Sequence, residues 1–163
     1  MKLNINKLSK KSIIFIFFTL FLITLFSIYV LTYYPADLNT LNQLTSNSTI
    51  KKQIDKNNNI VFKSSNSSTG FIFYPGGKVD ENAYDYLGIQ CANRGITTIV
   101  ATMPFNLAVF DIDSAEDVIV EYPEIKQWYI GGHSLGGSMA AIQASNTPEK
   151  FKRHYSFRIL FNS

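Results

Sequence analysis

The stretch from Ile13 to Tyr34 contains no charged residue, and it is the strongest constraint on how this 163-residue chain can fold. As an α-helix it would extend about 33 Å, which is enough to cross a bilayer hydrocarbon core of about 30 Å. Tyr29, Tyr33 and Tyr34 lie towards its end, and aromatic side chains favour the interface between membrane and water. The sequence therefore predicts one transmembrane segment over residues 13–34.

The residues that flank this segment predict its orientation. Four lysines precede it without an acidic partner: Lys2, Lys7, Lys10 and Lys11. Because positive flanks remain on the cytoplasmic side, we expect residues 1–12 to form a cytoplasmic tail and the C-terminal part to lie outside the cytoplasm, at the cell membrane. The alternative is a cleaved signal peptide with a mature chain that begins near Ala36. The apolar stretch is longer than the usual core of about 7–15 residues and lacks a small-residue cleavage site, which favours an uncleaved, single-pass signal anchor.

Composition excludes several classes of function. The net charge of +3 arises from the N-terminal lysines, because the remaining Lys and Arg side chains nearly balance the 12 acidic ones. No basic block is interleaved with aromatic residues, so nucleic acid is not an expected partner. Cys91 is the only cysteine, which excludes an internal disulfide and a Cys-x-x-Cys metal site. We interpret it as a small buried side chain.

The chain changes character after the apolar stretch. Residues 35–58 are rich in Asn, Thr, Ser, Gln and Lys, which is typical of a polar linker, with room for a short amphipathic helix. From residue 59 to 163, short apolar runs alternate with helical patterns. The predicted strands are Asn59–Ser64, Gly70–Tyr74, Thr97–Met103, Gln127–Gly132 and Ser156–Asn162. Of the predicted helices, one is capped by Asp80 or Glu81, one is capped by Ser114, and one continues from Gly136 after the turn. This alternation predicts an α/β fold with a partial, doubly wound and mostly parallel sheet.

The sequence "GGHSLGG", Gly131 to Gly137, lies between a predicted strand and a predicted helix. A serine in a Gly-x-Ser-x-Gly turn of this kind adopts a strained backbone that presents its Oγ away from the sheet. Ser134 is therefore the candidate nucleophile, and the backbone N–H of Leu135 is the first candidate oxyanion donor. The nucleophile elbow around it would comprise Gly132, His133 and Gly136. We interpret His133 as a packing or positioning residue, because its side chain would leave the turn in a different direction.

A second oxyanion donor is expected in the loop "YPGGKV", Tyr74 to Val79, which follows an earlier strand. Glycine lets the backbone approach a substrate oxygen closely, so we select the N–H of Gly77, with Gly76 or Lys78 as alternatives. A plain strand-to-helix turn is the competing interpretation of this loop. The stretch Phe105–Ile112 also follows a strand, and it either lines an acyl pocket or packs against the core.

Three stretches carry a resemblance to a known family: "GFIFYPGGKV", "ATMPFNLAVF" and "YPEIKQWYIGGHSLGG". Over residues 60–151 they resemble the α/β-hydrolase superfamily, and they are most similar to its bacterial membrane-anchored branch related to dienelactone hydrolases and carboxylesterases. The resemblance implies acyl transfer from a small ester substrate by a serine–acid–histidine triad. It implies Ser134 as nucleophile, the N–H groups of Leu135 and Gly77 as oxyanion site, and neither a metal nor an organic cofactor. The lipid bilayer would be a partner through residues 13–34.

The chain departs from that family after the elbow. In the family, the acid and the histidine follow the serine at the ends of later strands. Here the only later carboxylate side chain is Glu149 and the only later histidine is His154, and both precede the next predicted strand. We interpret Glu149 as a surface acid and His154 as a weak candidate base, so the triad acid and base remain unassigned.

This departure affects the expected activity. We expect a C-terminally truncated domain that lacks its last strands and is catalytically impaired as a serine hydrolase. The alternative is a non-catalytic remnant or an anchored binding protein. A phosphate-binding α/β protein is disfavoured, because neither GK[ST] nor GxGxxG occurs.

Overall fold

The computed structural model describes residues 9–45, 49–152 and 154–156. It divides into two compact units, Met1–Thr32 and Tyr33–Ser163. Within the first unit, helix α1 spans Lys10–Leu31, and the Ser9 hydroxyl caps it by accepting a hydrogen bond from the Ser12 N–H at 3.1 Å. None of its residues is buried, and its mean hydropathy reaches 2.7. By length and composition, α1 fits a membrane anchor or a signal sequence.

The second unit is built on a six-stranded sheet. Its strands are β1 (Lys52–Ile54), β2 (Ile60–Phe62), β3 (Thr69–Tyr74), β4 (Thr97–Val100), β5 (Gln127–Gly132) and β6 (His154–Ser156). They lie in the order β1-β2-β4-β3-β5-β6. Strands β1 and β2 and strands β2 and β4 pair antiparallel, whereas β3 with β4, β3 with β5 and β5 with β6 pair parallel. The predicted mostly parallel sheet is confirmed.

Helices cover both faces of this sheet. They are α2 (Leu38–Thr45), α3 (Asp85–Ala92), α4 (Ser114–Glu121) and α5 (Leu135–Asn146). Because side chains alternate along a strand, Phe71 and Phe73 of β3 pack on the side of α3, while Ile72 and Tyr74 pack on the side of α4 and α5. The helix α3 connects β3 to β4 and α4 connects β4 to β5, so the parallel strands are doubly wound as predicted.

The sheet begins earlier than the sequence indicated, inside the predicted linker of residues 35–58. Strand β1 pairs with β2 through a hairpin in which one carboxylate oxygen of Asp55 accepts the N–H groups of Asn57 and Asn59. Asn58 takes a φ of 66°, which asparagine tolerates well. A polar composition thus concealed a turn in which the side chains of Asp55, Asn57 and Asn59 form hydrogen bonds.

Two predicted helix boundaries also shift. The helix expected from Asp80 is split into a 3₁₀ turn, Glu81–Tyr84, and α3, and Asp80 caps the turn. Helix α4 begins after Asp113, so Ser114 is its first residue and not its cap. The last described strand is β6, and most of the predicted strand Ser156–Asn162 lies outside the described residues.

The hydroxyl of Tyr74 supplies a prediction for stability. It donates to the Ile112 carbonyl at 2.8 Å and accepts the buried Ala115 N–H at 2.9 Å. Tyr74→Phe would leave that N–H buried without a partner, so we expect a loss of about 1–3 kcal/mol in the free energy of unfolding, measured by chemical denaturation. Tyr86→Phe is the matched control, because Tyr86 is 44% exposed and should change stability little. Equal stabilities of the two variants would contradict the assignment.

Candidate active site

Ser134 occupies the turn between β5 and α5 with φ 50° and ψ −118°. A non-glycine residue in this region stores about 1–3 kcal/mol of strain, which surrounding contacts must hold in place. The residue is exposed, and within the described residues its Oγ has no hydrogen-bond partner. This is the geometry that the Gly-x-Ser-x-Gly spacing predicted for a nucleophile elbow.

The glycines on either side of the serine permit close contact with the end of β3. A Cβ on Gly132 would lie 2.6 Å from the Tyr74 carbonyl oxygen, and one on Gly136 would lie 2.1 Å from the Pro75 carbonyl oxygen. Both obstacles are backbone atoms, which cannot move away as a side chain can. The two glycines therefore allow the first turn of α5 to pack against the residues that follow β3.

That contact brings the loop after β3 beside the serine turn. A Cβ on Gly77 would lie 2.9 Å from Cδ2 of Leu135, so the two predicted donor residues are neighbours. The Gly76 N–H donates to the Tyr84 hydroxyl at 3.0 Å, and the Lys78 N–H donates to the Asn106 carbonyl at 2.8 Å. Of the three alternatives, only the Gly77 N–H has no hydrogen-bond acceptor among the described residues. The geometry thus favours Gly77 as the second donor.

The other predicted donor, Leu135, is the first residue of α5. The N–H groups of the first helical turn have no carbonyl partner within the helix, and the helix dipole adds positive potential at that end. An oxygen that becomes negatively charged beside Ser134 would therefore meet a favourable field.

The side chain of His133 lies against the loop of residues 74–79, the candidate oxyanion loop. Its Nδ1 lies 2.9 Å from the Tyr84 hydroxyl, the same hydroxyl that accepts the Gly76 N–H. Burial raises the pKa of Tyr84, so the phenol keeps its proton at neutral pH and can donate it to Nδ1. This arrangement fits the interpretation of His133 as a positioning residue. The sequence analysis did not identify Tyr84 as part of the candidate site, because its contact with His133 joins residues far apart in the chain.

The structure describes the side chain of Glu149 and the backbone of His154, the later residues that the sequence analysis considered as acid and base. Glu149 is exposed in a 3₁₀ turn, Pro148–Lys150, after α5. The backbone of His154 lies in β6 opposite Ile130, two residues before the end of β5. Within the described part of the chain, no carboxylate or imidazole group is hydrogen-bonded to Ser134, and no three His, Cys, Asp or Glu side chains are arranged to hold a metal ion.

The stretch Phe105–Ile112 both packs and faces solvent. Within this stretch, Leu107 and Ala108 are buried, whereas Phe105, Val109 and Phe110 are exposed.

A cleft of about 470 Å³ lies elsewhere, at the start of β3. It is lined by Thr69, Phe71, Cys91, Arg94, Gly95, Ile96 and Tyr129. Burial raises the pKa of the Cys91 thiol, which makes it a poor nucleophile.

The Tyr84 hydroxyl contacts both the Gly76 N–H and the Nδ1 of His133. The effect of removing this hydroxyl can be measured. Tyr84→Phe would leave the Gly76 N–H without an acceptor, so we expect its amide hydrogen exchange to become about tenfold faster, the equivalent of one lost hydrogen bond of about 1.4 kcal/mol. The measurement is residue-resolved exchange by NMR, with Tyr86→Phe as control. Unchanged exchange at Gly76 would show that the hydroxyl does not hold the loop.

Solved structures with a similar arrangement include naproxen esterase (carboxylesterase NP) from Bacillus subtilis. It shares 15% identity and a TM-score of 0.48, over 72% of this chain and 46% of that chain. Alpha/beta hydrolase domain-containing protein 10 from mouse shares 20% identity and a TM-score of 0.43, over 67% and 49% of the two chains. The chain therefore spans less than half the length of either structure. No curated protein sequence matches it.

Comparison of the sequence with family profiles assigns the chain to a family. The profile of the Alpha/beta hydrolase family matches residues 70–155, which is just over half of the chain. The match begins in β3 and ends in β6, so it includes the loop of Gly77 and the turn of Ser134. The mostly parallel sheet and the strand–serine–helix turn agree with this match, and the chain belongs to the alpha/beta hydrolase family.

Proposed function

We propose that this protein is a membrane-anchored serine hydrolase of carboxylesterase type in which Ser134 is the nucleophile. The observation that carries the proposal is the strained, exposed Ser134 beside the unpaired N–H of Gly77. Helix α1 would be the anchor, with the N-terminus in the cytoplasm and the hydrolase part outside it. The substrate would be a small ester or another activated acyl compound.

The proposed chemistry is acyl transfer in two steps. The Oγ of Ser134 attacks the ester carbonyl carbon, and the carbonyl oxygen becomes an oxyanion that the N–H groups of Leu135 and Gly77 stabilise. The carbon–oxygen bond to the alcohol then breaks, and the alcohol leaves with the proton that the Ser134 hydroxyl gives up, while the acyl group stays on Oγ. Water attacks the acyl-enzyme and releases the acid. Loss of a single oxyanion donor typically costs about 10²–10³ in rate, so the backbone geometry has a large effect.

The second candidate function is binding without turnover. It is favoured by the surroundings of the serine, since the Nδ1 of His133 is occupied by Tyr84 and Glu149 is exposed after α5. Loss of the histidine base alone lowers the turnover of serine hydrolases by a factor on the order of 10⁶. A site that has only a nucleophile and oxyanion donors would still react with strongly activated acylating or phosphonylating reagents.

A fluorophosphonate probe tests the nucleophile. We expect the full chain to be labelled slowly and Ser134→Ala to fall to background, because the Oγ displaces fluoride from phosphorus. Ser138→Ala is the matched control: Ser138 is exposed one helical turn later, and its hydroxyl donates to the Ser134 carbonyl at 3.4 Å. Labelling is followed by in-gel fluorescence and intact mass. Folded protein that is never labelled would contradict the proposal that Ser134 is a nucleophile.

The pH dependence of labelling tests whether a histidine base assists Ser134. Without a base, we expect the rate to rise about tenfold per pH unit between about pH 6 and 9, because only the rare alkoxide reacts. With a histidine base of ordinary basicity, the rate would level off above a pKa of about 6.5. A plateau near neutral pH would contradict our expectation of impairment. His133→Gln and His154→Gln would then identify which of the chain's two histidines is responsible.

A further inference from the structure

An exposed apolar surface lies next to the candidate active site. It consists of Tyr33, Tyr34, Phe105, Val109 and Phe110, which we call the site-mouth surface. Their exposed fractions range from 42% for Val109 to 70% for Tyr34. Phe105 and Phe110 contact each other edge to face, with ring centroids 5.7 Å apart. Large apolar side chains that are exposed together are unusual on a protein surface and indicate an interaction site.

Lys78, in the candidate oxyanion loop, forms backbone hydrogen bonds with both parts of this surface: with Tyr34 on one side and with Asn106, next to Phe105, on the other. Its carbonyl accepts the N–H of Tyr34 at 2.7 Å, and its own N–H donates to the Asn106 carbonyl at 2.8 Å. The Asp80 N–H then donates to the Tyr34 carbonyl at 3.0 Å, which completes a short parallel bridge between Tyr34 and Val79. These hydrogen bonds therefore fix Tyr34 and the loop that contains Phe105 on either side of Lys78.

The position of the tyrosines indicates what covers the surface. Tyr33 and Tyr34 end the predicted transmembrane segment, so they would lie in the interfacial layer of a bilayer, where tyrosine side chains favour a mixed apolar and polar environment. The loop that shares Lys78 with Tyr34 would then meet the same layer. This link to the end of the membrane segment favours the bilayer as the occupant, because binding of another protein would not depend on it.

The charges near the surface agree with a lipid partner that is bound through apolar contact. No charged residue occurs between Ala101 and Phe110, and the acids Asp111 and Asp113 follow directly. Lys78 is the only basic residue in the Tyr74–Val79 loop. A surface that attracted anionic lipids would instead present a cluster of basic side chains. The composition matches insertion of aromatic side chains among neutral lipids.

We propose that the site-mouth surface docks on the lipid bilayer, with Phe105, Val109 and Phe110 inserted among the lipids beside Ser134. The proposal rests on the proposed membrane anchor and is independent of catalysis by Ser134. It fixes which side of the hydrolase part faces the bilayer, namely the side that carries the oxyanion loop.

Tryptophan fluorescence in nanodiscs tests the proposal on the full chain. Phe110→Trp and Val109→Trp place a probe on the surface, and Val120→Trp is the control, because Val120 is 78% exposed on α4. The native Trp128 is buried and contributes the same background to each variant. Discs of phosphatidylcholine are compared with discs of brominated phosphatidylcholine, which quenches tryptophan on contact. Each variant is first checked for an unchanged melting temperature, and two surface positions are used so that one unstable variant does not decide the result.

We expect bromine to quench the surface probes at least about threefold more strongly than the Val120→Trp probe. The same result is expected in a Ser134→Ala background, which separates docking from hydrolysis. Equal quenching at the surface and control positions would overturn the proposal. A probe with blue-shifted emission that bromine does not quench would also overturn it, because a second copy or another protein segment would then cover the surface. Failure of the chain to elute with nanodiscs would overturn both the anchor and the docking.

Discussion

The close backbone contact between the start of α5 and the end of β3 is the interaction on which the candidate site depends. Gly132 and Gly136 leave no room for a Cβ against the carbonyl oxygens of Tyr74 and Pro75. With the backbones this close, the strained turn at Ser134 and the loop of Gly77 occupy the same edge of the sheet. A side chain at either glycine would separate Ser134, the candidate nucleophile, from one of the two candidate oxyanion donors.

The loop after β3 is held on several sides, which explains how a glycine-rich segment keeps one conformation. The Tyr84 hydroxyl holds the Gly76 N–H and contacts His133, while Lys78 is hydrogen-bonded to Asn106 and Tyr34 through its backbone. These bonds give the N–H groups of Gly76 and Lys78 an acceptor, whereas the N–H of Gly77 has none among the described residues. Electrostatic stabilisation of an oxyanion requires donors that are fixed before the reaction, and these hydrogen bonds hold the backbone on both sides of Gly77.

Much of the site could be predicted because its parts are local in sequence. The Gly-x-Ser-x-Gly spacing predicted the turn at Ser134. The pattern of a strand, a glycine loop and a helix predicted that the Tyr74–Val79 loop would follow a strand of the same sheet. The choice among Gly76, Gly77 and Lys78 could not be made, because it depends on Tyr84 and Asn106, which contact the loop from other parts of the chain. The strand β1 was also missed, since its pairing depends on a hairpin whose polar residues resemble those of a linker.

The sequence by itself determined the apolar segment, the alternation of strands and helices, and the serine turn. Each of these follows from a short periodic pattern or from the restricted backbone of glycine, which act over a few residues. Only the tertiary structure decided which N–H of the Tyr74–Val79 loop is left without an acceptor, which residue contacts His133, and that Tyr34 and Asn106 both bond to Lys78. These depend on single hydrogen bonds between residues far apart in the chain, such as Tyr34 and Lys78, and no local pattern specifies which distant groups will meet.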